Sequence, residues 1–416
     1  MRRKLLLATL LTAGCCNVHA APEFKLSGFG TLGVAHSNNR DADFIEVLKD
    51  TGPGKTRATD FGLDTMAAVQ LNGQFSEEWS AVVQVLSARN ADGNFEPRVE
   101  WANLKYAVTP ELSLRAGRVG LPIFMASEFR QVNYGNLWVR GPVEVYNLVP
   151  VSTVDGANVN YLLQLGGGTL NLRGCYAQTS LKNSNLTATG SDTLTARKVA
   201  SFAARYERGP FTVRGSYTKT QAEYTLQEVA PMIDGLRMLA TLGVPGARPL
   251  LDTTLSSTNH LVFSGLGASY DGGRLILQGE YMQRSNSEGL VNQRKAAYLL
   301  GGLRMGKLTP YAIHSRDWAK GPYTSSDADR IAAFAPNLGT FAPQVVALAN
   351  AVQQGFALRS MAQASTSLGV RYDIMPNAAI KTQFDRIRPS GATLTGAYPQ
   401  SAKPTSLVSL AFDFIY

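Results

Sequence analysis

Four histidines and three cysteines are the chain's whole stock of imidazole bases and soft metal ligands. Their spacing suits neither metal binding nor nucleophilic catalysis. His19 lies in an N-terminal leader. His36 stands at the end of the first alternating apolar run, His260 opens a later run, and His314 sits on the polar parity of another. None stands at a metal-binding distance from another His or Cys. There is no G-x-S-x-G elbow. His36 and Ser37 are adjacent, so on a strand their side chains point apart. Gly28-x-Gly30-x-x-Gly33 spells the G-x-G-x-x-G phosphate loop, but it lies within an alternating run and precedes no helix. These read as strand glycines. The residues point away from an enzyme, and no cofactor or metal is expected.

What the sequence offers instead is charge on one parity of many alternating runs. If the apolar parity faces lipid, the other faces a lumen. That parity carries Lys105, Arg115, Arg173, Arg205, Arg214, Arg304, Arg316, Arg371 and Lys381, with Asp64, Glu280, Asp385 and Asp413. An enclosed, unpartnered charge costs several kcal/mol, so this set needs water or partners. A water-filled lumen supplies both, and structural ion pairs bracing the wall are the equal alternative for each residue.

A second cluster lies in segment 121–155. It runs Leu121-Pro122-Ile123-Phe124-Met125-Ala126-Ser127-Glu128-Phe129-Arg130 and continues to Arg140, Glu144 and Tyr146. It is more apolar and aromatic than an exposed loop. A loop folded against the inner wall explains that composition. It would narrow the pore and set Glu128 and Glu144 opposite wall arginines, making a transverse field. An outer loop covering a subunit contact is the plainer reading.

The elements that must position these groups are strands. In 24–34 the even positions Phe24, Leu26, Leu32 and Val34 are apolar. In 61–71 the odd positions Phe61, Leu63, Ala67, Val69 and Leu71 are apolar, with Asp64 and Gln70 opposite. Such alternation marks a strand wet on one side. It recurs over 23–35, 60–74, 79–88, 98–108, 112–120, 156–165, 169–179, 198–206, 211–219, 259–270, 275–284, 295–305, 308–316, 364–374, 379–387 and 405–416. That is sixteen strands, an even number, as single-chain outer-membrane barrels have. Trp79, Tyr106, Tyr176, Tyr206, Tyr217, Tyr281, Tyr311 and Phe412 fall on the apolar parity, which suits aromatic girdles.

Connector lengths alternate. Short ones carry Gly, Pro, Asp and Asn, the residues of tight turns. Long ones include 121–155, 220–258 and 317–363. Eight long loops on one face and seven short turns on the other fit a barrel with both termini on one side. A soluble β-sandwich has no reason to sort its loops so. Ser325-Ser326-Asp327 predicts a helix cap before Arg330–Phe334, and 343–358 and 226–242 predict further helices that pack in or over the barrel mouth.

The remaining sequence sets the compartment. Arg2, Arg3 and Lys4 precede the apolar Leu5–Ala13, and Val18-His19-Ala20 matches a signal-peptidase site. Cleavage after Ala20 is expected, giving a signal peptide over 1–20 and one barrel over 21–416. Thr12-Ala13-Gly14-Cys15 loosely resembles a lipoprotein box and is the alternative. Of the 40 basic residues three lie in the leader, leaving 37 against 31 acids, a net +6. That mild excess does not imply nucleic acid. Only Cys175 remains in the mature chain, so no internal disulfide forms. No later run of about 18 uninterrupted apolar residues is present. Mean hydropathy is near zero, −0.08, which an alternating barrel shares with soluble proteins.

Leu26-Ser27-Gly28-Phe29-Gly30-Thr31-Leu32-Gly33, the Leu114-Arg115-Ala116-Gly117-Arg118 strand before a long third loop, and the closing Phe412-Asp413-Phe414-Ile415-Tyr416 resemble Gram-negative sixteen-stranded general porins. The likeness is nearest to a little-characterised proteobacterial porin-like group. It implies an all-β transmembrane antiparallel barrel with an inward-folded third loop, multi-pass in the bacterial outer membrane. It implies a passive channel for small hydrophilic solutes and ions, a homotrimer, and contact with outer-membrane lipids and the barrel-insertion machinery. Phe412, Phe414 and the terminal Tyr416 would form the assembly signal, with Tyr416 where Phe is commoner. The acidic run such porins often carry in the third loop is replaced here by sparse acids among Arg130 and Arg140. The basic wall therefore points to weak anion preference, with Glu128, Arg130, Arg140, Glu144, Lys105, Arg115, Arg173, Arg205 and Arg214 at the constriction and lumen. A substrate-specific phosphate- or carboxylate-type channel, and a surface receptor or adhesin using the barrel as scaffold, are the alternatives. Mass spectrometry of the mature protein should read Ala21 at the N-terminus, and a lipidated Cys15 there would overturn the cleavage site.

Overall fold

The computed structural model describes residues 22–44, 46, 51–182, 193–225, 230–255, 258–286, 293–319, 325–358, 362–390 and 403–416. The leader and its expected cleavage site lie outside the described residues. The strands in chain order are β1 (Glu23–Ser37), β2 (Thr59–Asp60), β3 (Met66–Gln74), β4 (Trp79–Ala88), β5 (Arg98–Ala107), β6 (Leu112–Gly120), β7 (Thr153–Leu165), β8 (Gly168–Lys182), β9 (Thr193–Arg208), β10 (Phe211–Thr225), β11 (Thr258–Asp271), β12 (Leu275–Asn286), β13 (Arg294–Leu303), β14 (Leu308–Ala319), β15 (Ala362–Met375), β16 (Ala378–Ser390) and β17 (Thr405–Ile415). All except β2 form the barrel wall. Each wall strand pairs antiparallel with the next, and β17 returns to β1 with Phe29 opposite Ile415 and Ser37 opposite Leu407. The two-residue β2 pairs only with the end of β1. The result is a closed sixteen-stranded barrel.

Closure satisfies every wall strand on both edges, and parity sorts its faces. Leu26, Leu32, Val83, Phe202, Leu266, Leu368 and Val408 are exposed, while Thr31, Asn103, Ser201, Gln383 and Asp413 are buried on the other side. A continuous apolar belt of this kind is unstable against water and suited to lipid. The protein is a multi-pass β-barrel of the bacterial outer membrane.

The seam explains the glycines of β1. A Cβ on Gly28 would lie 2.3 Å from the Tyr416 ring, and one on Gly30 would lie 2.5 Å from the Phe414 ring. The two rings lie where side chains would otherwise stand. Gly28 and Tyr416 also exchange both backbone hydrogen bonds, at 3.1 and 3.0 Å.

Three expectations change. The strand expected over 60–74 begins at Met66. Asp60 accepts hydrogen bonds from the Gly62 and Leu63 amides, which turns residues 61–65 out of the ladder. Several strands outrun the expected ends on the long-loop side, such as β9 from Thr193 and β10 to Thr225, because backbone pairing continues where apolar alternation has stopped. The third change is the parity of β14. Thr309, Tyr311, Ile313, Ser315 and Asp317 are buried inside, so Arg316 and His314 are on the outer face and Tyr311 is not in a lipid girdle. Tyr311 and Ile313 are apolar because they serve a core inside the barrel.

The long connectors carry helices. Alongside the four-residue α1 (Val143–Tyr146) there are α2 (Ala230–Thr241), α3 (Ala247–Leu255), α4 (Ser326–Phe334) and α5 (Ala342–Leu358). Ser325 caps α4 by accepting from the Ala328 amide at 3.2 Å. The stretch Ser326–Gln354 is long and apolar enough to cross a membrane by composition, but Gly339 breaks it with φ 56° and ψ −123°. α3 was not among the expected helices; it starts just after Gly246 and carries Pro249 in its first turn, where the missing amide costs no helical hydrogen bond. The helices pack on one another. Leu236, Leu239, Leu250, Ile331, Val345 and Val352 form one core drawn from the fifth and seventh loops alone.

Replacing Gly30 with Val should push the Phe414 ring off the seam, and deleting Tyr416 should remove the last backbone pair and the terminal aromatic. Both variants should lose the heat-modifiable band on gels. Replacing Tyr416 with a charged residue should have the same effect; a charge on this outer face costs about 2–4 kcal/mol at the bilayer midplane and less at the interface, so the loss should come mainly through failed insertion. Normal surface levels of that deletion would refute its role.

Candidate pore constriction

The third loop, residues 121–152, folds into the barrel. Its apolar residues Ile123, Phe124, Trp138, Val145, Tyr146 and Leu148 join lumen-facing Val199, Phe263, Met282, Tyr298, Leu300 and Tyr311 in one buried cluster. Burying a large aliphatic or Phe side chain fully contributes roughly 1.5–3 kcal/mol. The loop therefore lies against the wall although the lumen is otherwise polar. Trp138, Tyr146 and Tyr298 stack within 6.1–6.2 Å between ring centres.

Polar anchors then fix the loop around the wall. Arg214 on β10 donates to the Ile123 carbonyl at 2.6 Å. Glu280 on β12 accepts from the Met125 amide at 2.9 Å. Lys381 on β16 donates to the Asn133 carbonyl at 2.6 Å and pairs with Asp413 at 2.7 Å. Arg371 on β15 donates to the Asn136 carbonyl at 3.1 Å. Gln383 on β16 accepts from the Val139 amide at 2.9 Å and donates to the Arg140 carbonyl at 3.2 Å.

Arg140 is the central ion-pair anchor. Its guanidinium bonds Asp64 at 3.0 and 2.6 Å and reaches Asp385 at 3.5 Å, with the Phe44 ring 5.0 Å away. Burial alone would lower its pKa. The charges of Asp64 and Asp385 more than reverse that, and the group lies above its ordinary value. Arg130 lies over the Phe124 and Tyr146 rings at 5.6 and 5.3 Å.

The two loop acids take different partners. Glu128 is half-exposed and pairs with Arg173, as expected of a charge opposite a basic wall. Glu144 does not face a wall arginine. It is buried and accepts from Ser315 at 2.6 Å, from Gln363 at 2.7 Å and from Ser365. Hydroxyl and amide donors carry no formal charge, so charge parity did not mark them.

The rest of the basic set forms a row on neighbouring strands. Lys105 on β5 stands opposite Arg115 on β6, Asn160 on β7 opposite Arg173 on β8, and Arg205 on β9 opposite Arg214 on β10. A space of about 250 Å³, room for several waters, lies between the β8–β10 part of this row and the loop, lined by Glu128, Arg173, Arg205, Glu207 and Arg214. A second space of about 360 Å³ lies on the long-loop side of the constriction. Arg89, Arg98, Glu100, Arg118, Arg130 and Tyr146 line part of it. Arg118 is held there by Asp155 at 2.7 and 2.9 Å. Arg89, Arg98, Glu100 and Arg118 escaped the sequence reading because they sit at strand ends, where alternation is weak.

The opposite wall has a different charge economy. Asp317 on β14 pairs with Arg294, Asp385 on β16 with Arg140, and Asp413 on β17 with Lys381. The acids there are neutralised by close partners, whereas on β5–β10 the bases outnumber the acids: Arg173 pairs with Glu128 and Arg205 with Glu207, and Lys105 and Arg115 form no ion pair among the described residues.

Replacing Arg140 with Ala would leave Asp64 and Asp385 buried without their shared cation. Breaking a buried pair in this way costs roughly 3–5 kcal/mol. The melting temperature in detergent should fall, and single-channel current should become larger and noisier as the loop loosens. Unchanged melting and current would show that the ion pair does not hold the loop.

No family model matches the sequence, and no curated protein matches it. Solved structures do. The outer membrane channel DcaP of Acinetobacter baumannii aligns with a TM-score of 0.55 at 11% identity, over 95% of this chain and 98% of its own. An anion-selective porin from Comamonas acidovorans aligns at 0.53 and 10%, over 95% and 100%. The trimer form of OmpT, an outer membrane protein of Vibrio cholerae, aligns at 0.51 and 10%, over 95% and 100%. At such identities the likeness is one of fold, and the fold of this chain is that of the sixteen-stranded outer-membrane porins.

Proposed function

We propose that the protein is a passive, weakly anion-preferring diffusion channel for small hydrophilic solutes, working as a homotrimer. The observation that carries this reading is the asymmetry of the constriction. Lys105, Arg115, Arg173, Arg205 and Arg214 lie on one half of the wall against two half-exposed acids, Glu128 on Arg173 and Glu207 on Arg205, so bases outnumber acids there, while the acids of the other half are each paired with a base. Fixed charges concentrate counter-ions within a Debye length, about 10 Å at 0.1 M salt. That reach is comparable to a constricted lumen, so preference should appear in dilute salt and fade in concentrated salt. Glu128 and Glu207 partly cancel the field, which favours bias over exclusion. The fold likeness to channels, one of them described as anion-selective, supports the same reading.

A second reading has one observation behind it. The basic residues form a row along adjacent strands rather than a ring, and Arg98, Arg118 and Arg130 line the space on the long-loop side. Such a ladder suits a phosphate- or carboxylate-specific channel. Conductance that saturates with one solute would favour it.

In planar bilayers the wild-type reversal potential in a dilute salt gradient should have the sign of anion preference. The double change Arg115→Ala and Arg173→Ala should shift it toward cations with the barrel intact. A wild-type channel already cation-selective at low salt, or a double variant with unchanged potential, would sink the proposal.

A further inference from the structure

The third loop closes the packed half of the lumen but leaves a chamber on its short-turn side. On the long-loop side the space between Glu144, Ser315 and Ser365 is about 20 Å³, room for one water. On the short-turn side the space is about 370 Å³. The wall shows what separates them. Along β14, Thr309 lines the larger space and Ser315 the smaller, with buried Tyr311 between. Along β15, Arg371 lines the larger and Ser367 the smaller, and Gly369 between them leaves room for the Tyr311 ring. Buried Trp138 and Leu300 form the roof. The chamber is therefore a blind pocket and not a route through the barrel. Asp271, Arg304 and Asp373 at its rim lie where strands meet short turns, so it opens toward the periplasm.

Its rim charges pair with each other. Arg304 donates to both Asp271 oxygens, at 2.6 and 2.7 Å. Arg371 donates to Asp373 at 2.8 Å and to the Asn136 carbonyl at 3.1 Å. An ion of either sign would meet a like charge beside each opposite one. Neutral groups are left open instead. Ser269 follows the inward parity of Gly267, which faces Met125 of the loop. Ser269 and Thr309 line the chamber, and neither makes a side-chain hydrogen bond among the described residues. Gln278 gives its amide N–H to the Tyr298 hydroxyl, and its carbonyl oxygen has no partner among the described residues. Ile276 and Leu300 on the wall, with Leu137 and Phe129 on the loop, add apolar surface between these groups.

We propose that this chamber is a binding site for a neutral polyhydroxylated solute, a mono- or disaccharide, entering from the periplasmic side. A sugar carries hydroxyls around its edge and C–H groups on its faces. It therefore needs donors, acceptors and apolar surface together, with no net charge. Ser269, Gln278, Thr309 and the Arg304–Asp271 pair supply the first two, and Ile276, Leu300, Leu137 and Phe129 the third. The volume stands at the lower end of the roughly 300–1,000 Å³ that small-molecule sites span, which suits one or two rings. A bound sugar would touch both the wall and the loop and so stabilise the loop's folded position. The site lies against β11–β15, away from the basic row, and does not depend on the anion preference proposed above.

The test uses the full mature protein in a detergent without a sugar headgroup, with maltose as the probe and saturation-transfer NMR as the readout. A saturable maltose signal is expected, and neither phosphate nor succinate should displace it. Ser269→Trp, which fills the chamber, should weaken binding at least tenfold. Thr309→Val with Gln278→Leu, which removes neutral partners at nearly constant volume, should do the same. Both variants should remain heat-modifiable and keep wild-type conductance. Absence of a saturable signal, or displacement of maltose by phosphate or succinate, would overturn the proposal. Unchanged affinity in the variants would overturn it too, by placing the sugar elsewhere in the lumen. Should Ser269→Trp fail to fold, the Thr309→Val and Gln278→Leu variant decides alone.

Discussion

Every backbone amide and carbonyl in a hydrocarbon layer must find its partner within the protein. In this chain that requirement is completed at one place, the seam where β1 meets β17. The remaining wall pairs are between strands consecutive along the wall, closing short turns and long loops in alternation. The seam joins residues nearly four hundred positions apart, and its geometry shapes both ends of the chain. Gly28 and Gly30 leave room for Tyr416 and Phe414, and Thr31 donates to Asp413 at 2.6 Å across the same junction. Asp413 in turn holds Lys381, and Lys381 holds the third loop. Closing the wall and positioning the constriction are thus linked through one carboxylate.

Inside, the third loop divides the lumen wall by chemistry. Where Met282, Tyr298, Leu300 and Tyr311 line it, the wall behaves like the core of a soluble domain, and the loop is its other half. Where arginines line it, the wall remains open to water. The constriction is therefore bounded on one side by packing and on the other by charge. Geometry is set by the first and the field by the second. Arg140 and Glu144 belong to the packed side, and Glu128 to the open side. Three charges of the same loop thus carry different roles.

Much of this was legible in period-two alternation. Leu26, Val69, Phe202 and Leu410 face outward as their parity requires, because lipid imposes one rule on the whole outer surface. Loop sorting was legible too, since turn residues such as Gly166-Gly167 and Pro210 mark one end of the barrel. The inner surface obeys no single rule, and there the reading failed. Tyr311 and Ile313 are apolar for the sake of a loop 160 or more residues away in sequence, which reversed the apparent parity of β14 and misplaced Arg316. Glu144 was sought opposite arginines and found against Ser315, Ser365 and Gln363. Neutral donors leave no periodic trace. Asp60 ended a strand through its own side chain, a local competition with the ladder that alternation does not register.

The helical module formed by the fifth and seventh loops has a consequence for the order of assembly. α2 and α3 leave the wall after β10, and α4 and α5 after β14. Neither pair can bury Leu236, Leu239, Ile331 and Val345 until β11–β14 have brought the two loops together, because before that the ends are joined only by a long flexible span whose closure opposes contact. The module is thus a late event, formed on a finished arc of sheet. Once formed, its core acts as a tie-bar between the two edges of that arc. Prying β11–β14 from the barrel would also require pulling the helices apart.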